Sequence, residues 1–217
     1  MSISTSRLKS EYSAVLDLNS RSSLISAEAS RFLKLDVPSE YLVHYSCKGL
    51  YKDHSSDELL ESTKHSISIS IPPDFPVTPP ELLFLTPIFH PNINDPSAPK
   101  ENFVRFPRGW ICMGSWKPAR SIPDLIIEVG EMIQQKWSGV QTEISDDMNP
   151  DGFVDIIPTP ICKEAKKWII ENKSKIPIDD RPLIEGKTDV ELISDIDVDI
   201  DFIDENIESE EDIDIED

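Results

Sequence analysis

Lys64-His65-Ser66-Ile67-Ser68-Ile69-Ser70-Ile71 alternates without a break, isoleucine at 67, 69 and 71 and serine at 66, 68 and 70. Successive side chains of a strand point to opposite faces, so this stretch predicts a β-strand with one buried face and one wet face. Sheets with a solvated face are antiparallel, because parallel sheets are covered on both sides. Toward the N-terminus, Tyr41–Cys47 is β-rich. Leu33, Leu35 and Val37 alternate as a short edge strand within an ambiguous stretch, 24–39. Polar Lys52–Ser62 reads as a connecting turn. Ser4–Leu18 places Leu8, Tyr12, Val15 and Leu16 at helical spacing behind a Ser4 or Ser6 cap. Toward the C-terminus, the proline-rich turn Pro72–Pro80 leads into a third strand, Glu81–Thr86.

From Thr86 to Arg120 the periodicity stops, and Pro87, Pro91, Pro96, Pro99, Pro107 and Pro118 exclude a long helix or central strand. A stretch of this length without regular structure inside a folded domain is usually functional. Helical spacing returns at Ser121–Trp137, with Ile122, Leu125, Ile126, Val129 and Ile133 on one face and Ser121 or Pro123 at the start. A last helix, Lys163–Asn172, turns Ala165, Trp168 and Ile169 inward. The expectation is an α+β fold: an N-terminal helix, an antiparallel meander of three to four strands, a long irregular segment, then C-terminal helices.

The 217 residues carry a formal charge of −20, but the acidity is concentrated. Fifteen of the 41 acidic residues lie between Asp189 and Asp217, where there is no Lys or Arg; residues 1–188 hold the other 26 against all 21 basic residues. We therefore expect a domain over 1–175 and an acidic, disordered tail over 176–217. Nucleic-acid binding is disfavoured, because it rests on concentrated basic charge. No apolar run is long enough for a membrane span, and Met1–Arg7 lacks a secretory pattern, so a cytoplasmic protein is expected. Cys47, Cys112 and Cys162 are too scattered for a disulfide framework or a zinc site. They read as thiols. Cys112 follows a long loop and lies between Gly109 and Gly114, where a bulky partner can approach the backbone. Cys162 precedes a helix, a position that lowers a thiol pKa, and Cys47 reads as a small core residue.

Several blocks of the irregular segment occur in a distinctive order: Pro79-Pro80, the strand, Ile88-Phe89-His90-Pro91-Asn92-Ile93, Gly109-Trp110-Ile111-Cys112, and Trp116-Lys117-Pro118-Ala119. This series resembles the core signature of ubiquitin-conjugating enzymes, over roughly residues 5–173. The wording around Cys112, with Asn149-Pro150-Asp151, is most similar to prokaryotic members. The resemblance implies that Cys112 takes a ubiquitin-like protein from an activating enzyme as a thioester and passes it to a lysine or other amine. A thiol serves as both nucleophile and leaving group. The catalytic candidates are Cys112, Asn92, His90 and Asp151. Asn92 is implied to stabilise the oxyanion or to hold the cysteine loop, although it could simply cap a turn. His90 reads more readily as a loop hydrogen-bonding group than as a base. Asp151 is the best match, ahead of Asp146 and Asp147, to the family's acid that orients the incoming amine, and it reads equally as a solvated loop acid or helix cap. No cofactor or metal is implied, since the activating partner uses the ATP; a ligase or protein substrate is a further partner, and nucleic acid and membrane are not.

Two departures from the family pattern stand out. Cys112 follows His90 by 22 positions, further than usual, which makes Asn94–Arg108 a loop insertion. Gly114 stands where an acidic residue is common, and only Met113-Gly114-Ser115 separate Cys112 from Trp116. These departures keep a rival reading open, an adaptor that binds the modifier without transferring it. A thiol hydrolase is a third reading and would require a histidine paired with Cys112. The alternating acidic and apolar tail, Ile193–Ile215, reads either as a strand that docks on a ubiquitin-like protein or as a solubilising segment.

Overall fold

The computed structural model describes residues 3–33, 36–99, 107–136 and 161–185. Its elements are α1 (Ile3–Ser20), β1 (Ile25–Leu33), β2 (Val37–Tyr45), β3 (Gly49–Asp53), β4 (Glu58–Ser62), β5 (His65–Ser70), β6 (Glu81–Phe84), α2 (Ile122–Ile133) and α3 (Lys163–Glu171). The main sheet is antiparallel, in the order β1-β2-β5-β6. The Ile/Ser alternation sets its register: Ile67 faces Val43 and Phe84, and Ile69 faces Tyr41 and Leu82. Those residues form the buried face, while the serines turn outward.

Helices α1 and α2 close that face. The Tyr45 hydroxyl donates to the Ile126 carbonyl at 2.9 Å, so a buried phenol has its partner. Ile122, Leu125, Ile126, Val129 and Ile133 are buried as the spacing predicts, behind a capping box in which Ser121 and Asp124 exchange hydrogen bonds. The inward stripe of α1 is Leu8, Glu11, Val15 and Leu18, whereas Leu16 is half exposed. Glu11 tolerates burial because Arg7 Nε reaches its carboxylate at 2.6 Å and the Ile122 amide donates to it at 2.7 Å. Its negative charge therefore sits at the N-terminus of α2, where the helix dipole favours it.

Two sequence expectations need correction. Lys52–Ser62 is no simple turn: β3 and β4 form a separate two-stranded sheet, Gly49 facing Ser62 and Asp53 facing Glu58. The stretch 24–39 holds the whole of a nine-residue strand, β1, paired along β2 with irregularities near Arg31, and Leu33 and Val37, expected in one edge strand, end β1 and begin β2. Between Ile25 and Phe32 the residues of β1 are small or polar, and in β3 and β4 the apolar residues are adjacent (Leu50-Tyr51, Leu59-Leu60), so neither region shows strand alternation.

The expected boundary at residue 175 also falls short of the packed body. Residues 176–185 cross the core's edge as a strap, with Leu183 and Ile184 buried. Asp179 accepts from the Lys48 amide at 2.8 Å and from Arg181 Nη2 at 2.7 Å, and the Arg181 guanidinium holds its carboxyl well below the usual range. The Glu185 amide donates to Arg21 at 2.7 Å. The strap contains charged and proline residues that hide its two anchors from a composition reading. Leu183 packs so closely on α2 that a Cβ at Gly130 would lie 2.7 Å from Leu183 Cδ1. We expect Leu183→Ala to destabilise the fold by about 3 kcal/mol, the usual cost of a buried leucine truncation. Urea unfolding measures it; a change below about 0.5 kcal/mol would mean that the strap is dispensable. Residues 186–217 lie outside the described residues, and the tail readings fall there.

Candidate active site

After β6 the chain turns at Ile88–Ile93 and runs into the insertion. The insertion's ends meet: the Asn94 amide donates to the Trp110 carbonyl at 2.9 Å, and the Gly109 amide donates to Asn94 at 2.8 Å. Asn94 Nδ2 also reaches the Pro107 carbonyl at 2.8 Å. Residues 94 and 107–110 thus form a stem. Cys112 follows the stem by two residues, and residues 100–106 lie outside the described residues. On its other side this stem pairs with β6, through a Leu83–Trp110 bridge and a Phe84 amide to Gly109 carbonyl bond of 2.6 Å.

Cys112 lies at the end of that stem, half-buried, with its amide donating to the Asn92 carbonyl at 2.9 Å. Asn92 and His90 are both buried. The Asn92 amide donates to His90 Nδ1 at 3.1 Å, so the ring accepts there and is neutral. Burial pushes the His90 pKa down to about 3. This arrangement suits a residue that holds the turn, and among the described residues no histidine is paired with Cys112, as a thiol hydrolase would need.

The depressed His90 pKa links protonation to stability. The unfolded chain takes up a proton near pH 6.5 that the folded chain refuses until about 3. His90's contribution is therefore complete above pH 6.5 and is lost as pH falls through that window, about 2 kcal/mol by pH 5. Comparing urea stability at pH 7 and pH 5 in wild type and His90→Gln should show a smaller acid loss in the variant. Equal losses would mean that His90 titrates normally in the folded protein.

The turn is held from behind by α3. The Cys162 amide donates to the Pro91 carbonyl at 3.0 Å, and Trp168 meets Phe89 edge-to-face with ring centroids 6.1 Å apart. Cys162 caps α3, its sulfur accepting from the Ala165 amide at 3.4 Å, yet burial raises its thiol pKa. The lowering expected from a helix N-terminus is outweighed. Beyond Cys112, Arg120 Nη1 donates to the Met113 carbonyl at 3.1 Å while Nη2 pairs with Glu128. Trp116 Nε1 donates to Pro76 at 2.8 Å. The sequence reading singled out neither Arg120 nor Glu128. Their eight-residue separation crosses a helix start and matches no local pairing pattern. Asp146, Asp147, Asn149 and Asp151 lie outside the described residues. Among the described residues no group of three or more His, Cys, Asp or Glu is placed to hold a metal, and no helix is long and apolar enough to cross a membrane.

Residues 54–151 match the family model described as Ubiquitin-conjugating enzyme. The chain is 34% identical over 73 residues to the probable ubiquitin-conjugating enzyme E2 31 of Arabidopsis thaliana, across 32% of this chain and 40% of that protein. It is 30% identical over 83 residues to the SUMO-conjugating enzyme UBC9 of Caenorhabditis elegans, across 36% and 43%. Over 110 residues it is 31% identical to the ubiquitin-conjugating enzyme E2 T of Danio rerio, across 49% and 51%. The chain thus spans about half, or less, of these relatives' length. All three are eukaryotic, and nothing in them supports the prokaryotic affinity that the wording around Cys112 suggested. The ordered blocks around Cys112 and these matches thus make residues 54–151 similar to the ubiquitin-conjugating enzyme family, with eukaryotic relatives.

Proposed function

We propose that this protein is a cytoplasmic conjugating enzyme that accepts a ubiquitin-like protein from an activating enzyme as a thioester on Cys112 and transfers it to an amine. The observation that carries this reading is the 2.9 Å bond from the Cys112 amide to Asn92, which fixes a half-buried thiol against the His90-Pro91-Asn92 turn despite the insertion. In the first step the Cys112 sulfur attacks the modifier's C-terminal carbonyl, and the activating enzyme's thiol leaves. In the second, a lysine amine attacks the new thioester and the Cys112 thiolate leaves, the amine giving up a proton. Asn92 is proposed to steady the oxyanion or the loop, His90 to hold the turn, and Asp151 to orient the amine and take its proton. A ligase or protein substrate would be a further partner. Separately, the acidic tail beyond residue 186 is proposed either to bind the modifier or to keep the protein soluble.

Charging with a candidate modifier, its activating enzyme and ATP tests this reading. The expected product is a reductant-labile adduct that discharges when free lysine is added. Gly114 favours the adaptor reading, because it supplies no carboxylate beside Cys112. An adaptor would bind the modifier yet stay uncharged with a partner pair that charges another conjugating protein.

A further inference from the structure

A cavity of about 150 Å³ lies beside Cys112, between the turn into β6 and the segment that carries the cysteine. Ile111, Met113 and Gly114 are on its wall, so whatever enters it touches the immediate neighbours of the nucleophile. That volume is about what holds a benzene-sized guest, far below a drug-sized ligand, so one side chain fits it. Its walls are set before a guest arrives. Trp116 has its indole N–H committed to Pro76 and its ring against Phe75, and Arg120 is fixed by Met113 and Glu128. At Gly114 the space is open, with no atom within 4 Å of where a Cβ would stand.

Charge selects among guests of that size. Arg120 on the wall is already neutralised by Glu128. Glu81, also on the wall, is exposed and makes no ion pair among the described residues. The uncompensated charge is therefore negative, beside indole and proline surfaces that suit an aliphatic stem and attract a cation. Resting on the conjugating reading above, we propose that this cavity is a specificity site that takes the side chain of a lysine or arginine of the acceptor polypeptide, distinct from the lysine that is modified. Acceptors with a second basic residue near the target would be held beside Cys112, and acidic neighbours would be disfavoured.

The test is a binding titration on the full uncharged chain, so it does not require the protein to be a conjugating enzyme. The probes are acetylated, amidated pentapeptides, Ala-Ala-Arg-Ala-Ala and its norleucine counterpart, and the readout is the indole N–H resonances of Trp110 and Trp116. Site-specific resonances matter because an acidic tail attracts arginine anywhere. We expect saturable shifts with the arginine peptide, weakened about threefold by Glu81→Gln and more by Glu81→Lys, as for an exposed charge pair. Met113→Phe, which fills the space with a ring, should abolish them. Equal binding of the norleucine peptide, or shifts insensitive to both Glu81→Gln and Met113→Phe, would overturn the proposal. Charging by an activating enzyme is scored separately. An enzyme that charges but does not bind the arginine peptide refutes the specificity site alone. One that binds the peptide but never charges refutes the conjugating reading and, with it, the acceptor assignment.

Discussion

Cys112→Ser should yield no reductant-labile adduct with the modifier, and any reductant-resistant ester should form on the order of a thousandfold more slowly than the wild-type thioester. The reason is chemical. A hydroxyl ionises far less readily than a thiol, and once acylated it is a poorer leaving group, so both attack and transfer slow together. The other two thiols cannot substitute. Cys47 is fully buried, and burial pushes its pKa up to about 12. Cys162 has its sulfur committed to the cap of α3 and its pKa raised by burial. Cys47→Ala and Cys162→Ala should therefore keep the adduct on non-reducing gels. An adduct that survived Cys112→Ser and vanished in Cys162→Ala would relocate the nucleophile to the helix cap and sink the assignment.

How much of this was legible in the sequence depends on how local each cause is. The Ile/Ser alternation of β5 and the apolar stripe of α2 are local patterns, and both elements appear where the spacing puts them. Ordered blocks around Cys112 located the candidate nucleophile, and the structure brings Cys112 and Asn92 into backbone contact across twenty positions. The hidden features have partners far along the chain. Glu11 reads as a surface acid until the Ile122 amide, 111 residues away, is seen to occupy it. Residues 176–185 read as tail because Leu183 and Ile184 are two apolar side chains among charges and prolines, and only the α2 groove beside Gly130 gives them a place. Cys162 read as a rival thiol and Trp168 as an inward residue of the last helix, yet both support the turn at Phe89 and Pro91. Arg120 is the sharpest case. Its sequence neighbours pointed to a loop, while its contacts hold the carbonyl of the residue after Cys112.

The second large effect is expected at Gly109, three residues before the thiol. Its φ of +75° already disfavours any side chain, but the tighter constraint is the neighbour: a Cβ would stand 2.1 Å from the Phe84 carbonyl oxygen. That oxygen belongs to the backbone of β6 and has no flexible end to swing away. On its other side Gly109 donates to Asn94, so the stem is pinned between β6 and the insertion and cannot slide. Gly109→Ala must therefore break the stem, and we expect a loss of about 4 kcal/mol or more, the range reached only when strain or packing at a special backbone position fails. Gly114 is the control. Its φ of +71° carries the same backbone penalty, but open space surrounds the added methyl, so Gly114→Ala should cost only about 1–2 kcal/mol. Urea unfolding gives the two values, and alkylation of Cys112 below the unfolding transition reports the site. With the stem broken, the Cys112 amide should exchange with solvent faster while α1 and β2 keep their protection. If instead the two alanine variants lost equal stability, backbone conformation alone would account for both glycines. The stem would then be no tighter than an ordinary loop, and the route by which the insertion leaves Cys112 against Asn92 would need another explanation.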